Sequence, residues 1–481
     1  MNEDSLRKKT FVNLFWRFLE RCGAQFVSFI VSIVLARLLL PEDYGIVALV
    51  TVIISILNVF VDSGLGNALV QRKNAGDLEF STVFYTNVFV CVILYMILFF
   101  ISPYIAVFYK NENLTSVIRI LGFTLIISGL KNIQQAYVSK KMLFKKFFFA
   151  TLLGTVVSAV VGILLAYKGC GVWALVVQQL VNLFIDTVVL WIIVPWKPSF
   201  KFSFMVLKDL FSYGWKILIA SLIHTVYIDI RQLVIGRVYT PLDLAFYNQG
   251  QKFPQLISTN INNSIDSVLF PVLSDVQDTK TVVKAMTRRA IKIAAYIMWP
   301  LLLGLAAVSG DLVKIVLSEK WIGCVPYFVI ACFCFGFQPL QSANLNAIKA
   351  LGKSDVFLKL EIIKKTIAMG IVIITIPFGV RAIAIGGLIY ELIASICNSF
   401  PNKKMLDYSY VEQIKDMFPA FFVSLLMSGF VYFLPFSFLH PVVQLILKIL
   451  IGIVFYVGVT ALFHFDSYTY LKKIVLHFFK R

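Results

Sequence analysis

Among the basic residues inside long apolar runs, Arg17, Arg21, Lys216, Arg231 and Lys252 lie on the polar faces of their runs. An ionised group at membrane depth is costly unless it faces a partner or a water-filled cavity, and cations gathered in such a place attract an anion. Guanidinium groups grip phosphate bidentately, and away from bulk water the attraction is weakly screened. The same runs carry Gln25, Asn248, Gln255 and Asn262, with Tyr227 and Tyr247 close by in sequence. These are neutral hydrogen-bonding groups of the kind that recognise sugar hydroxyls. Positive charge for a diphosphate and amides for a glycan would divide the work sensibly. A structural reading stands beside it, in which Arg17 with Glu20, and Arg231 with Asp229, are ion pairs within the bundle. Acids that could couple an ion are Glu20, Asp62 and Asp266, with Asp186, Glu361 and Glu391 as further candidates. Asp62 and Asp266 sit near segment ends, where capping is the simpler role. Glu361 lies beside Lys364 and Lys365, as at a solvated helix start, and His224 is most simply a hydrogen-bonded structural histidine. No phosphate loop, zinc-spaced His and Cys set, serine nucleophile elbow or catalytic carboxylate pair is present. The residues therefore suggest neither an enzyme nor a bound cofactor or metal.

The elements that must position these groups are membrane helices. Hydrophobic residues make up 59% of the 481, charged residues 14%, and mean hydropathy is +0.85, far more apolar than the roughly 45–50% of soluble domains. The net charge of +19 could in a soluble chain point to nucleic acid. Here the basic residues sit in short loops between apolar runs, so no nucleic-acid partner is expected. The polar start Met1 to Thr10, followed by a run containing Asn13, Arg17, Glu20, Arg21 and Gln25, is no cleavable signal peptide. The seven cysteines lack metal or redox spacing and read as small apolar fillers.

A bilayer core of about 30 Å takes about 20 apolar residues per helix, and on that ruler the chain offers fourteen spans. They run at roughly 11–40, 44–69, 80–107, 115–138, 147–167, 171–195, 209–236, 244–272, 287–309, 325–349, 359–378, 381–401, 415–436 and 440–464. Lys and Arg crowd alternate loops, whereas the opposite set holds only Arg37, Lys110, Lys168, Arg237, Lys314, Lys320 and Arg381. The alternation holds through all fourteen crossings and places both termini in the cytoplasm. Opposite-side loops are too short for an external catalytic domain.

On the first span, Asn13, Arg17, Glu20, Arg21, Gln25, Ser28 and Ser32 share an arc of about 140°. On the seventh, Lys216, His224, Tyr227 and Arg231 share about 80°. The eighth carries a stripe of Asn248, Lys252, Gln255, Thr259, Asn262, Asn263 and Asp266, and the second a thinner one of Thr51, Ser55, Asn58 and Asp62. Spans one, two, seven and eight are thus expected to wall a central hydrophilic cavity at the seam between halves. Ala36-Arg37, then Pro41 and Asp43, is echoed 200 residues later by Gly236-Arg237, Pro241 and Asp243 in the same helix-loop-helix setting. The expected architecture is an all-α polytopic membrane protein of two pseudo-symmetric six-helix lobes, 1–200 and 201–402, with two further helices and a cytoplasmic tail in 403–481. Pro254, Pro300 and Pro339 remove backbone hydrogen bonds within spans and permit bending.

The stretch Ala36-Arg37-Leu38-Leu39-Leu40-Pro41-Glu42-Asp43-Tyr44-Gly45, with Asp62-Ser63-Gly64-Leu65-Gly66-Asn67-Ala68-Leu69-Val70-Gln71-Arg72 and the second-half run from Gly236 to Tyr247, resembles the polysaccharide transporter branch of the multidrug/oligosaccharidyl-lipid/polysaccharide (MOP) flippases. The likeness covers nearly the whole chain and is greatest to exporters of O-antigen, colanic-acid and teichuronic-acid units. It implies a flippase that moves an undecaprenyl-diphosphate-linked oligosaccharide to the outer leaflet for surface polysaccharide synthesis. It further implies a monomer working beside a glycan polymerase and chain-length regulator, with cavity cations holding the diphosphate. Arg17, Arg21 and Lys252 are the candidates by side and facing. Leu244-Ala245 departs from the Tyr44-Gly45 of the first copy, so the two loops are only approximately equivalent. A multidrug exporter of the same superfamily is the nearest rival, but would normally lack two helices and prefer acidic cavity residues. A membrane glycan polymerase would want a large external loop, and a major-facilitator carrier twelve spans.

Overall fold

The computed structural model describes residues 23–62, 65–66, 69, 76–141, 143–436 and 439–479. All regular structure among them is helical. The helices are α1 (Gly23–Leu38), α2 (Pro41–Asp62), α3 (Asp77–Phe108), α4 (Asn113–Lys141), α5 (Phe144–Tyr167), α6 (Val172–Ile193), α7 (Phe204–Val238) and α8 (Pro241–Asp275). The second half of the chain adds α9 (Lys280–Val316), α10 (Val325–Gly336), α11 (Gln338–Ala350), α12 (Ser354–Thr375), α13 (Val380–Leu406), α14 (Tyr410–Tyr432), α15 (Pro441–Leu462) and α16 (Asp466–Phe479). Among the described residues, eleven helical stretches are long and apolar enough to cross a membrane, α10 and α11 counting as one with the 3-10 turn before them. Each of the other sequence-read segments also lies on a helix. The described part of the first, α1, is short, while α8 and α12 carry more polar residues. Every backbone hydrogen bond in such helices is internal, as a hydrocarbon solvent requires.

The chain divides into two compact units, Met1–Ala245 and Phe246–Arg481, and the division falls inside α8. In the first unit α4 packs on α3 and α6, α5 on α6, and α2 on α4 and α7. Its core gathers Phe80, Phe84, Ile133, Leu190 and Trp196. The basic linker before α7 is docked rather than loose. The Trp196 indole donates to Asp77 Oδ1 at 2.9 Å, Ser199 N donates to Ser81 Oγ at 2.9 Å, and Ser203 N donates to Thr82 Oγ1 at 3.2 Å. These bonds set the start of α7 level with the second turn of α3.

In the second unit the long α9 is the hub, packed on α10, α11, α14 and α15. Trp299 on α9 is wholly buried between Phe337 and Phe421, with ring centroids at 5.3 and 4.7 Å. The tenth predicted span is broken at Phe337, and Pro339 starts α11 as one of its first two residues, where a missing N–H costs nothing. Beyond the break the helix turns polar: the Asn344 amide donates to Ser399 Oγ (3.1 Å) and Gln413 Oε1 (2.7 Å), and Asn402 Nδ2 donates to Asn344 Oδ1 (2.6 Å). This amide lattice ties α11, α13 and α14 together in the core. The tail after the last long helix is itself helical: α16 seats Tyr468 and Leu471 against the core, as does Phe465 just before it, and Lys292 pairs with Asp466 at 3.2 Å.

Candidate functional site

The repeated Pro-x-Asp motif makes the same corner twice. Pro41 and Pro241 open α2 and α8 with φ already set for a helix, and the aspartate two residues on reaches back to an unpaired N–H of the first turn. Leu40 N donates to Asp43 Oδ2 at 3.3 Å, and Thr240 N donates to Asp243 Oδ2 at 3.2 Å. In the second copy Thr240 Oγ1 also accepts from Asp243 N at 3.2 Å, completing a reciprocal cap. The arginine of that copy stacks on an aromatic face, with the Arg237 guanidinium 4.6 Å from the Phe108 ring centroid. The motif thus builds corners, and its charged residues serve them.

The two corners meet. A Cβ placed on Gly45 would stand 1.8 Å from the Pro241 carbonyl oxygen and 2.9 Å from its Cα, so only glycine allows this approach. One turn along, Leu49 lies against Gly236, where a Cβ would come within 2.7 Å of Leu49 Cδ1. Because Gly45 takes up the close contact, the second copy can keep a side chain at Ala245, which is buried. That asymmetry is why Tyr-Gly and Leu-Ala occupy equivalent places. Further along the two antiparallel helices, Ser55 Oγ donates to Asp229 Oδ2 at 2.6 Å, and Gln232 Nε2 donates to Asp229 Oδ1 at 3.3 Å. The sequence offered Asp229 as a partner for Arg231; its oxygens instead accept from these two neutral groups. Beyond Ser55, α2 and α7 part around a cavity of about 420 Å³ lined by Phe60, Leu65, Asn87, Lys208, Phe211 and Leu218 among others. The helices touch at their ends near the Lys/Arg-poor loops and separate toward the Lys/Arg-rich ones.

On α8 the predicted stripe is partly realised. One face packs on α10 through Tyr247 against Tyr327 (6.0 Å), Phe253 against Phe328 (5.8 Å), and Gly250, whose added Cβ would lie 2.7 Å from Tyr327 Cβ. The face turned away presents Asn248 and Lys252, both half-buried, and Gln255, Thr259 and Asn263, all exposed. Lys252 makes no ion pair among the described residues. Asn262 points the other way: it is buried, and its amide nitrogen donates to Ser258 Oγ at 3.1 Å and Gln338 Oε1 at 3.0 Å. Asp266 accepts from Asn346 Nδ2 at 2.7 Å and Ser342 Oγ at 3.3 Å, so it joins α8 to α11 rather than capping a helix end. Arg231 is half-buried on α7, while Gln25 on α1 and His224 on α7 are exposed. Arg17, Glu20 and Arg21 lie outside the described residues, as do the side chains of Asp62 and Lys216.

The other acids named as coupling candidates have partners. Lys131 holds Asp186 at 2.6 Å, Lys364 holds Glu361 at 2.5 Å, and Gln341 Nε2 donates to Glu391 Oε2 at 2.6 Å. A pair the sequence did not flag, Lys448 with Asp311 at 2.7 Å, joins α15 to α9. A cluster near the Lys/Arg-rich ends was also missed. Asp416 takes Arg288 Nε at 2.7 Å, Lys292 at 3.6 Å and the Tyr408 hydroxyl at 2.9 Å. Burial, reinforced by that carboxylate, pushes the Tyr408 phenol well above its ordinary value, so it stays a donor.

Residues 34–326 match the family described as polysaccharide biosynthesis protein. The lipopolysaccharide biosynthesis protein WzxC of Escherichia coli is 22% identical over 88% of this chain and 86% of its own length. The teichuronic acid biosynthesis protein TuaB of Bacillus subtilis is 26% identical over 62% of each. Among solved structures, the lipid II flippase MurJ in an inward closed conformation superposes with a TM-score of 0.76, covering 93% of this chain and 98% of that one at 14% identity. That likeness establishes the fold.

Proposed function

The chain belongs to the polysaccharide biosynthesis protein family, in the transporter branch of the MOP superfamily, and on that ground we propose that it is a flippase for polyprenyl-diphosphate-linked oligosaccharides. It spans the inner membrane fourteen times with both termini in the cytoplasm, and carries repeat units from the cytoplasmic to the outer leaflet for surface polysaccharide assembly. The barrier to be overcome is electrostatic: a diphosphate and a hydrated glycan cannot cross hydrocarbon bare. Arg17, Arg21, Lys216, Arg231 and Lys252 replace the lost hydration of the diphosphate. Gln25, Asn248 and Gln255 serve the glycan, while Glu20 and Asp62 are the acids available for ion coupling; Asn262 and Asp266 spend their side chains on α11 instead. The polyprenyl tail stays in lipid throughout.

One observation carries this reading. The two copies of the repeated corner are pressed together at Gly45 and Pro241, and α2, which follows the first corner, parts from α7, which precedes the second, around a cavity at the other end. A contact between duplicated elements that closes one side and leaves the other apart is what alternating access uses. The free polar face of α8, with Lys252 unpaired among the described residues, supplies an anion-seeking group. The direct test is to delete the gene and assay lipid-linked repeat units on the inner leaflet, then complement with Arg17→Ala, Arg21→Ala or Lys252→Ala. Build-up with normal protein levels is expected from each. Full glycan output from all three variants would remove those residues from the site.

A further inference from the structure

Beside the Asp416 cluster, the first turns of α9 and the start of α16 enclose a cavity of about 440 Å³. Arg288, Arg289 and Lys292 line it from α9, and Asp466, Ser467 and Tyr470 from α16. Its cations are set from behind. Asp416, with a side chain only 5% exposed, accepts from Arg288 Nη2 at 2.8 Å and lies 3.6 Å from the Lys292 ammonium, which fixes both side chains and leaves each with further donors. Arg289 is exposed, makes no ion pair among the described residues, and holds its guanidinium 5.2 Å from the Tyr470 ring centroid. The Ser467 hydroxyl has no hydrogen-bond partner among the described residues, and the first N–H groups of α16 have no acceptor within their own helix. Asp466 stands at the rim, 85% exposed and 3.2 Å from Lys292.

Depth and charge together select an occupant. Ile293 also lines the cavity, and from there α9 carries no charge until Asp311, so the cations stand where the helix leaves the hydrocarbon, level with lipid headgroups. Basic pockets between membrane helices on the Lys/Arg-rich side take anionic headgroups. Three cations face two carboxylates, Asp416 and Asp466, which leaves a surplus of one positive charge. A phosphodiester, with its single negative charge, cancels that surplus; a phosphate monoester, at about −1.5 to −2, overshoots it, and a zwitterionic headgroup leaves it standing. We propose that the cavity binds the headgroup of an anionic glycerophospholipid from the leaflet on the Lys/Arg-rich side. Its phosphodiester sits on Arg289, Lys292 and Ser467 Oγ, and a headgroup hydroxyl donates to Asp466. The acyl chains remain in the bilayer and need no cavity. Choline, with neither N–H nor O–H, has nothing to give Asp466.

The test uses the full chain purified in detergent, titrated with diacyl phosphatidylglycerol or diacyl phosphatidylcholine and read by native mass spectrometry. One tight phosphatidylglycerol adduct is expected, at least about tenfold more occupied than the phosphatidylcholine one. Arg289→Gln should cut its occupancy about tenfold and Arg289→Lys should restore most of it; because Arg289 is exposed and unpaired among the described residues, both variants should melt near the parent temperature. Lys472→Gln removes a cation of α16 that does not line the cavity and should change nothing. Equal occupancy by the two lipids, undiminished occupancy in Arg289→Gln, or an equal loss in Lys472→Gln would each overturn the assignment. Displacement by an equimolar amount of the water-soluble diester glycerophosphoglycerol would also overturn it and give the cavity to a soluble ligand. Occupancy is read without transport, so this result and the flippase reading fail independently.

Discussion

Replacing Gly45 by alanine adds one methyl group at the tightest place in the described chain. That carbon would lie 1.8 Å from the Pro241 carbonyl oxygen, and an ordinary contact of 3.4 Å requires the two corners to retreat by about 1.6 Å. Neither side can yield locally, because Pro241 meets it with backbone and Gly45 sits in the first helical turn. The displacement is transmitted to the next contacts, Leu49 against Gly236 and the 2.6 Å bond from Ser55 to Asp229. Overpacking costs about 1–3 kcal/mol, and a hydrogen bond to a charged group contributes about 1.5–3 kcal/mol. At about 1.4 kcal/mol per tenfold, a combined loss of about 3 kcal/mol shifts the population away from this closed arrangement by roughly a hundredfold. The assay is reaction of a single cysteine at Asn58, placed in a cysteine-free background, with a membrane-impermeant maleimide added from outside the cell. Labelling should be slow with Gly45 and at least about tenfold faster with alanine. Equal rates in two well-folded proteins would refute the reasoning that the corner contact holds the outer side shut.

Three more outcomes are expected from the same geometry. Ser55→Ala removes the donor to Asp229 and should raise outside labelling in the same assay by a smaller factor than Gly45→Ala does, whereas Ser55→Thr should not. Lys131→Ala strands Asp186, whose side chain is 6% exposed, and should lower stability in a detergent melt by about 3–5 kcal/mol; replacing both residues with leucine should recover most of it. Because the Tyr408 phenol is raised in the folded state, first by burial and then by Asp416, its contribution is complete below its ordinary value near 10 and declines as pH climbs past that point. Tyr408→Phe should flatten that alkaline decline in a thermal melt, and an identical slope in both proteins would remove Tyr408 as its source.

The corners were legible because proline and aspartate at fixed spacing are local instructions for starting a helix. Their meeting was not, since the need for Gly45 arises from Pro241, far away in sequence. A helical wheel placed Asn248, Lys252, Gln255 and Asn262 on one stripe, but only packing decides where the wet face ends. Asn262 falls across that line and spends its amide on Gln338. The break at Phe337 was hidden because helix resumes at once on its far side. Gln338, Gln341, Ser342, Asn344 and Asn346 crowded into nine residues were the available signal, and they mark a buried amide lattice rather than a channel wall. The α16 helix was read as tail because it is too short to span; Phe465, Tyr468 and Leu471 at three-residue steps were its signature.

The claim on which everything else depends is that this chain moves a diphosphate-linked oligosaccharide across a bilayer. The most direct measurement uses the purified protein in unilamellar vesicles with a fluorescent polyprenyl-diphosphate oligosaccharide in both leaflets, the outer pool being bleached by a membrane-impermeant reductant. The second half of the fluorescence should be lost rapidly in vesicles containing the protein, and at least about tenfold more slowly when Arg17 and Arg21 are both alanine. Loss no faster than in protein-free vesicles would contradict the claim.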